Sequence, residues 1–402
     1  MECKETKTER RVKVPSGSQL HGVYLFPFDE TVSNMLHRHH IKVTDARSHL
    51  AKLNILYYPE SVGFIMNILV TGGSGFLGRH LLQALKDEGY ANLRTFNRST
   101  CPDLQAQSIE VIRGDLTDFE AVNFAVQGCE AVFHVAAKAG VWGSYRSYYE
   151  ANVIGTENVL KTCQNNGVRY LIYTSSPSVV FKGQPLTNVD ERVGYGMPSK
   201  MCAYARTKML AEQRILTADG KNGMRTVALR PHLIWGPGDR HLIPTILQAA
   251  RKGRLVQVGD GDNWVDISYV TNVAQAHILA LKALSETNSS VGGRAYFISQ
   301  GDPVQLWSWL NQLLRHLGMP PVTKKISARK AYFLGACLEF FYKCCFIKKQ
   351  PPMTRFVVKE LSQDHYFDIS AAKMDLHYIP QVSNEEGMEQ LVRWLKAQQK
   401  QS

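Results

Sequence analysis

From Met66 to Gly78 the chain reads Met-Asn-Ile-Leu-Val-Thr-Gly-Gly-Ser-Gly-Phe-Leu-Gly, a short apolar strand that enters a glycine-rich turn and continues as a helix. No other stretch restricts the fold as tightly. Gly72 permits the tight turn, Gly75 lets the backbone come close to an anion, and Gly78 lets the helix, expected over Arg79 to Glu88, pack against the strand. The free N–H groups at the start of that helix then face the anion, and Phe76, Leu77 and Gly78, which lead into it, are read as cofactor-binding. Glycine spacing alone is a weak signal. Between a strand and an amphipathic helix it reads as a pyrophosphate cradle.

The following residues extend a nucleotide-binding half. Asn92 to Arg98 reads as a second strand, and Asn97 stands where a carboxylate would hold an adenosine ribose. With no carboxylate there, a 2′-phosphate is not repelled, and Arg98 offers a planar cation that matches one. Arg98 is either that phosphate contact or a solvated loop arginine; the first reading favours NADP(H) over NAD(H). Ile109 to Leu116 reads as a third strand, with Asp115 able to accept a hydrogen bond from an adenine amino group and Leu116 beside it. Ala131 to Ala137 is an apolar strand whose small end residues, Ala136 and Ala137, let a cofactor lie against the backbone. His134 within it reads as a core histidine. Strands alternating with helices such as Tyr149 to Asn165 predict an α/β fold, a Rossmann-type doubly wound parallel sheet with a smaller C-terminal substrate-binding region.

Tyr170 to Ser176 is a further buried strand that delivers hydroxyls at its C-terminal end, the edge where such sheets bind ligands. Tyr204 and Lys208 follow at a spacing that puts both on one helix face. A phenol with a pKa of about 10 is a poor proton shuttle near neutrality, and an adjacent ammonium pulls it down. Lys208 is also suited to bonding a nicotinamide ribose, and Ser176 to orienting a substrate oxygen.

Taken in order, the glycine turn, Gly114-Asp115-Leu116, the serine-bearing strand and the Tyr-x-x-x-Lys spacing resemble the extended short-chain dehydrogenase/reductases, in the branch containing the 3β-hydroxysteroid dehydrogenases. The likeness runs from Met66 to about Leu395. It implies that Ser176, Tyr204 and Lys208 are catalytic, and that Gly72, Gly75, Gly78 and Asp115 bind cofactor. Either Ser175 or Ser176 aligns with the family serine, and Ser176, nearer the strand end, is favoured. The runs His134 to Tyr145, Leu229 to Asp239, Tyr296-Phe-Ile-Ser and Pro351 to Phe356 resemble the bacterial reductases of long-chain olefin biosynthesis, the OleD type. That likeness implies NADPH-dependent reduction of a 2-alkyl-3-oxoalkanoate to a 2-alkyl-3-hydroxyalkanoate, with olefin-pathway enzymes as partners; a homodimer is a separate expectation for the assembly. A hydroxysteroid or sugar-nucleotide oxidoreductase or epimerase is the enzyme alternative. An NADP-sensing binding module is the non-enzyme one, opposed by the intact Ser176, Tyr204 and Lys208.

The remainder divides into residues 1–65, a leader or upstream-start extension without sustained periodicity; 66–236, the cofactor-binding core; and 237–402, which completes the sheet and covers the substrate. His37, His39 and His40 lack acidic or cysteine partners at ligand spacing, so no metal is expected. The net charge of +12 is scattered rather than clustered, which suits anionic cofactors and gives no support to a nucleic-acid partner. Eight cysteines show no zinc-finger spacing and read mostly as buried thiols in a reducing cytoplasm. Lys138 and Arg240 are cationic candidates for a substrate carboxylate, each also readable as a structural or cofactor contact. Leu255 to Asp262 reads as a hairpin. Residues 331–347 are almost wholly apolar, with Glu339 and Lys343 as an i,i+4 pair and basic residues on both flanks. This stretch reads as a helix in a membrane interface, a lid, a docking face for a partner enzyme, or a buried helix.

Overall fold

The computed structural model describes residues 66–196, 202–347 and 349–401, so the leader and its three histidines lie outside the described residues. Seven parallel strands form the central sheet: β1 (Ile68–Thr71), β2 (Leu93–Asn97), β3 (Glu110–Arg113), β4 (Ala131–His134), β5 (Tyr170–Thr174), β6 (Arg225–Pro231) and β7 (Arg294–Ile298). Their order is β7-β6-β5-β4-β1-β2-β3. β1 pairs with β2 on one side, Ile68 opposite Leu93, and with β4 on the other, Ile68 opposite Ala131. The strand order therefore reverses beside β1, which opens a crevice at the C-terminal strand ends.

Helices on both faces bury the strands, and all four residues of β1 are inaccessible. Helix α1 (Phe76–Asp87) begins three residues earlier than expected, at the turn itself, and lays Leu77, Leu81, Leu82 and Leu85 on the core. Each such leucine contributes about 1.5–3 kcal/mol by burial. α2 (Phe119–Val126) and α3 (Gly155–Asn165) follow, with a π turn at Glu150–Ile154 leading into α3. α4 (Ala203–Thr217) carries Tyr204 and Lys208. Residues beyond 237 complete the sheet, α5 (Val270–Ser285) leading into β7 at its edge.

A smaller four-stranded sheet joins Val304–Gln305, Trp264–Val265, His365–Phe367 and Leu186–Val189. The hairpin expected over Leu255 to Asp262 does not form. Gln257–Val258 pairs instead in parallel with Lys325–Ile326, a partner that no local turn pattern reveals.

Helices α6 (Ala328–Cys344) and α7 (Arg355–Ser362) form the outer cover. The i,i+4 pair expected within α6 is also replaced. Glu339 is buried and turns inward, where its Oε1 accepts from the Arg355 backbone N–H at 2.7 Å and its Oε2 from the guanidinium at 2.8 and 3.0 Å. A buried carboxylate demands several strong donors, which the Arg355 fork supplies and a solvated lysine does not. Lys343 points elsewhere, its ammonium 5.9 Å from the centre of the Trp142 ring. Among the described cysteines, Cys101, Cys129, Cys163 and Cys202 are buried, whereas Cys337, Cys344 and Cys345 are exposed at α6. No helix of the described residues is long and apolar enough to cross a membrane.

Candidate active site

The cradle is built by backbone geometry. Gly72 has φ +74°, its N–H reaches the Phe96 carbonyl at 2.9 Å, and its own carbonyl accepts from Gly75 N–H at 2.9 Å. A Cβ on Gly78 would stand 2.2 Å from the Gly72 oxygen, so only glycine lets α1 start this close to the turn. Gly75 caps α1 with no side-chain bond, which leaves the first-turn N–H groups available to an anion. The crevice in front is a cavity of about 510 Å³, lined by Gly72, Gly75, Asn97, Arg98, Asp115, Leu116, Ala136 and Ala137. Cavity, glycines and uncapped helix start together fit a dinucleotide. Leu77 and Gly78 are buried behind the cavity, and Phe76 packs edge-on against His80 at 5.5 Å between ring centres. These three serve the cradle by backbone rather than by side chain.

Asn97 lines the cavity and is held by the turn beside it. Its side-chain oxygen accepts from Ser74 N–H at 2.9 Å and its amide nitrogen donates to Thr95 Oγ1 at 3.0 Å. The buried amide braces the glycine turn at the edge of the cavity. Arg98, next along, is exposed at the cavity rim. Asp115 Oδ1 accepts from Thr117 N–H at 2.9 Å and from its hydroxyl at 2.7 Å. Those bonds, with a smaller pull from Arg98, hold the carboxyl below its ordinary range.

The end of β5 separates the two serines. The Ser175 hydroxyl is buried with no hydrogen-bond partner, whereas Ser176 caps the short turn Pro177–Val180. Ser176 Oγ accepts from Ser178 N–H at 3.2 Å and lies 3.0 Å from the Ser178 hydroxyl. Ser176 and Tyr204 line one cavity of about 210 Å³. Burial pushes the Tyr204 phenol up to about 12, and a hydrogen bond with Ser176 draws it partly back. Lys208 lies beneath, its Nζ donating to the Thr174 carbonyl at 2.5 Å and standing 4.1 Å over the Tyr173 ring. Burial pulls the lysine down to about 7, with Glu212 opposing. Burial, then, and not the expected pull of the ammonium, governs the phenol in this geometry. Glu212 is itself held by Arg230, whose guanidinium reaches both carboxylate oxygens at 2.5–3.2 Å.

Three residues that the sequence did not single out share the Tyr204 cavity. His232 Nε2 lies 2.6 Å from His365 Nδ1, and His365 Nε2 lies 2.7 Å from the Glu360 carbonyl. The backbone carbonyl can only accept, so His365 carries its proton on Nε2 and accepts from His232 on Nδ1. His232 is driven well below its ordinary value by burial. The ligating atoms of His232, His365 and Glu360 all lie within 4.8 Å of one another. Pro-His in the run Leu229 to Asp239 hinted at His232, but nothing local joins it to His365. Phe181 and Phe356 meet edge-on at 5.4 Å and wall the cavity with apolar surface.

His134 is a core residue, fixed between the hydroxyls of Thr71 at 2.8 Å and Thr156 at 2.9 Å, and burial lowers it to about 3. Lys138 stands between compartments: it lines both the cofactor cavity and a third cavity of about 860 Å³, and its Nζ bonds the Ser147 hydroxyl at 2.8 Å. Arg240 does not approach the Tyr204 cavity; its charge acts on Asp103, which is paired with Arg79.

Residues 69–327 match the 3-beta hydroxysteroid dehydrogenase/isomerase family. The chain is 47% identical over 328 residues to a 2-alkyl-3-oxoalkanoate reductase of Stenotrophomonas maltophilia, covering 81% of this chain and 98% of that one. A protein of the same name from Shewanella oneidensis is 43% identical, with 81% and 86% covered. The decarboxylating sterol-4-alpha-carboxylate 3-dehydrogenase of Mus musculus is 35% identical over 329 residues, with 81% and 89% covered. Among solved structures, MoeE5 in complex with UDP-glucose and NAD superposes with a TM-score of 0.63 at 25% identity, over 83% of this chain and 99% of that chain.

Proposed function

The chain belongs to the 3-beta hydroxysteroid dehydrogenase/isomerase family and is an NAD(P)-dependent oxidoreductase, and from that premise we propose that it reduces a 2-alkyl-3-oxoalkanoate to the 2-alkyl-3-hydroxyalkanoate with NADPH, within long-chain olefin biosynthesis. The observation that carries this reading is the meeting of Ser176 and Tyr204 in a small, largely apolar cavity beside the glycine cradle. Gly72, Gly75 and the start of α1 hold the pyrophosphate, Asp115 and Leu116 the adenine end, and Ala136 and Ala137 allow close approach. Arg98 takes the 2′-phosphate. NADPH supplies the two reducing electrons as hydride when bound.

The remaining chemistry belongs to the side chains. Ser176 donates to the keto oxygen and polarises it; Tyr204 delivers the proton that oxygen needs as it becomes an alkoxide. Lys208 is the donor for the nicotinamide ribose, and when protonated its charge opposes the burial that holds the phenol up. Phe181 and Phe356 keep water from the developing charge. The enzyme works in the cytoplasm with olefin-pathway enzymes as partners, as a homodimer, and with peripheral membrane contact through the apolar helix near 331–347.

A second reading, oxidation of a 3-hydroxysterol carboxylate, is favoured by the Mus musculus relative. The two substrate classes share a carboxylate one carbon away from the oxygen-bearing carbon. A matrix of NADPH and NADH against a 2-alkyl-3-oxo acid and a 3-ketosteroid separates the readings. The expected result is turnover of the oxo acid with NADPH, lost in Tyr204→Phe while NADPH binding remains. Turnover of the ketosteroid alone, or unchanged turnover in Tyr204→Phe, overturns this assignment.

A further inference from the structure

We infer that the outer face of α6 docks on an anionic phospholipid surface and that the cavity at its end admits long-chain substrate from that surface. Half of the large exposed apolar side chains among the described residues lie on this one segment: Phe333, Leu334, Phe340, Phe341 and Phe346, with Phe346 89% exposed and Phe333 and Phe340 each 72%. Phe333, Phe340 and Phe341 share one helical face, since spacings of seven and eight residues return to the same side. Such a cluster is far from the scattered single hydrophobics that any surface carries.

The charge around the cluster selects the occupant. From Lys324 to Gln350 the sole acidic residue is Glu339, and it is buried against Arg355. The outward charges are therefore all positive: Lys324, Lys325, Arg329, Lys330, Lys343 and Lys349 are exposed. A protein partner is met as well by mixed charges, whereas exposed aromatic side chains on a segment whose exposed charges are all lysine and arginine match an anionic headgroup layer. α6, at 17 residues, is not long and apolar enough to cross a bilayer and suits lying along it.

The second half of the inference rests on the reductase reading. The Tyr204 cavity, at about 210 Å³, falls below the roughly 300–1,000 Å³ that drug-sized ligands occupy. Two long alkyl chains have to leave it. Val141 is shared between that cavity and the one of about 860 Å³, whose wall also includes Trp142, Tyr342, Lys343, Phe346 and Ile347. The two cavities thus share a wall at Val141, and the larger one runs from there to the basic aromatic end of α6.

Flotation of the full chain with vesicles tests the docking. Binding to vesicles containing phosphatidylglycerol is expected, with at least about tenfold weaker binding to phosphatidylcholine alone and a comparable loss in Phe340→Glu/Phe341→Glu. Absence of binding to phosphatidylglycerol vesicles, equal binding to both lipids, or unchanged binding by the variant overturns it. Self-association that the variant abolishes, in place of vesicle binding, assigns the face to a second copy and equally overturns it. For the entry route, the variant is expected to reduce a short-chain oxo acid in solution as the parent does and to lose about tenfold with long-chain substrate held in vesicles. Equal long-chain rates overturn the route. Flotation involves no turnover, so failure of the reductase reading leaves the docking result standing.

Discussion

Lys208 sits where an ammonium is expensive, buried with one carbonyl and one aromatic face for company. Its pKa falls from 10.5 in an exposed lysine to about 7 in the fold. The sign of the stability effect follows. Below pH 7 both folded and unfolded chains hold the proton, and the folded state bears the full cost of the buried charge. As pH rises from 7 toward 10.5, the unfolded chain binds the extra proton, so stability increases with pH. Lys208→Met removes the charge and is expected to stabilise the protein by about 1–3 kcal/mol below pH 7. That advantage shrinks as pH climbs toward 10, while turnover is lost throughout. Urea melts of both proteins from pH 6 to 10 measure the gap; a gap that widens with pH, or a destabilised variant at pH 6, contradicts this picture of the lysine.

At the scale of elements, the join between α6 and α7 rests on Glu339 and Arg355. Arg355→Ala leaves a buried carboxylate with a single backbone donor and is expected to cost about 2–4 kcal/mol in urea unfolding. Adding Glu339→Gln should recover much of that loss; equal destabilisation in the double variant would show that the arginine acts by packing alone. The same join marks the limit of what the sequence made legible. Elements with an internal signal were readable: the strand and glycines of Met66 to Gly78, the apolar strands at Ala131 and Tyr170, and the Tyr204–Lys208 spacing on one helix face. Where a residue's partner lies far along the chain, local sequence points only to the nearest plausible one. Glu339 pairs with Arg355 and not with Lys343 four residues on, and Leu255 to Asp262 does not fold on itself, because Gln257–Val258 pairs with Lys325–Ile326. The pairing of His232 with His365 spans 133 residues and carries no periodic signal at all.

For the whole molecule, cofactor choice is a question of linkage, because a ligand that binds only the folded chain raises its stability by about 2.7 kcal/mol at one hundred times its dissociation constant. The crevice at the β1 switch point joins residues from four strand ends, so its occupation holds the nucleotide half together as one unit. Asn97 is withdrawn into the glycine turn and supplies no carboxylate to repel a 2′-phosphate, while Arg98 stands exposed at the rim with its guanidinium unburied. NADPH at saturating concentration is therefore expected to raise the melting temperature by about 5 °C, and NADH at the same concentration by less. Arg98→Glu should erase most of the NADPH shift and leave the NADH shift in place, because the new carboxylate opposes only the phosphorylated ribose. Thermal melts of parent and variant with each nucleotide decide it: equal NADPH shifts in the two proteins would make Arg98 a solvated loop residue and place cofactor selection elsewhere on the crevice rim.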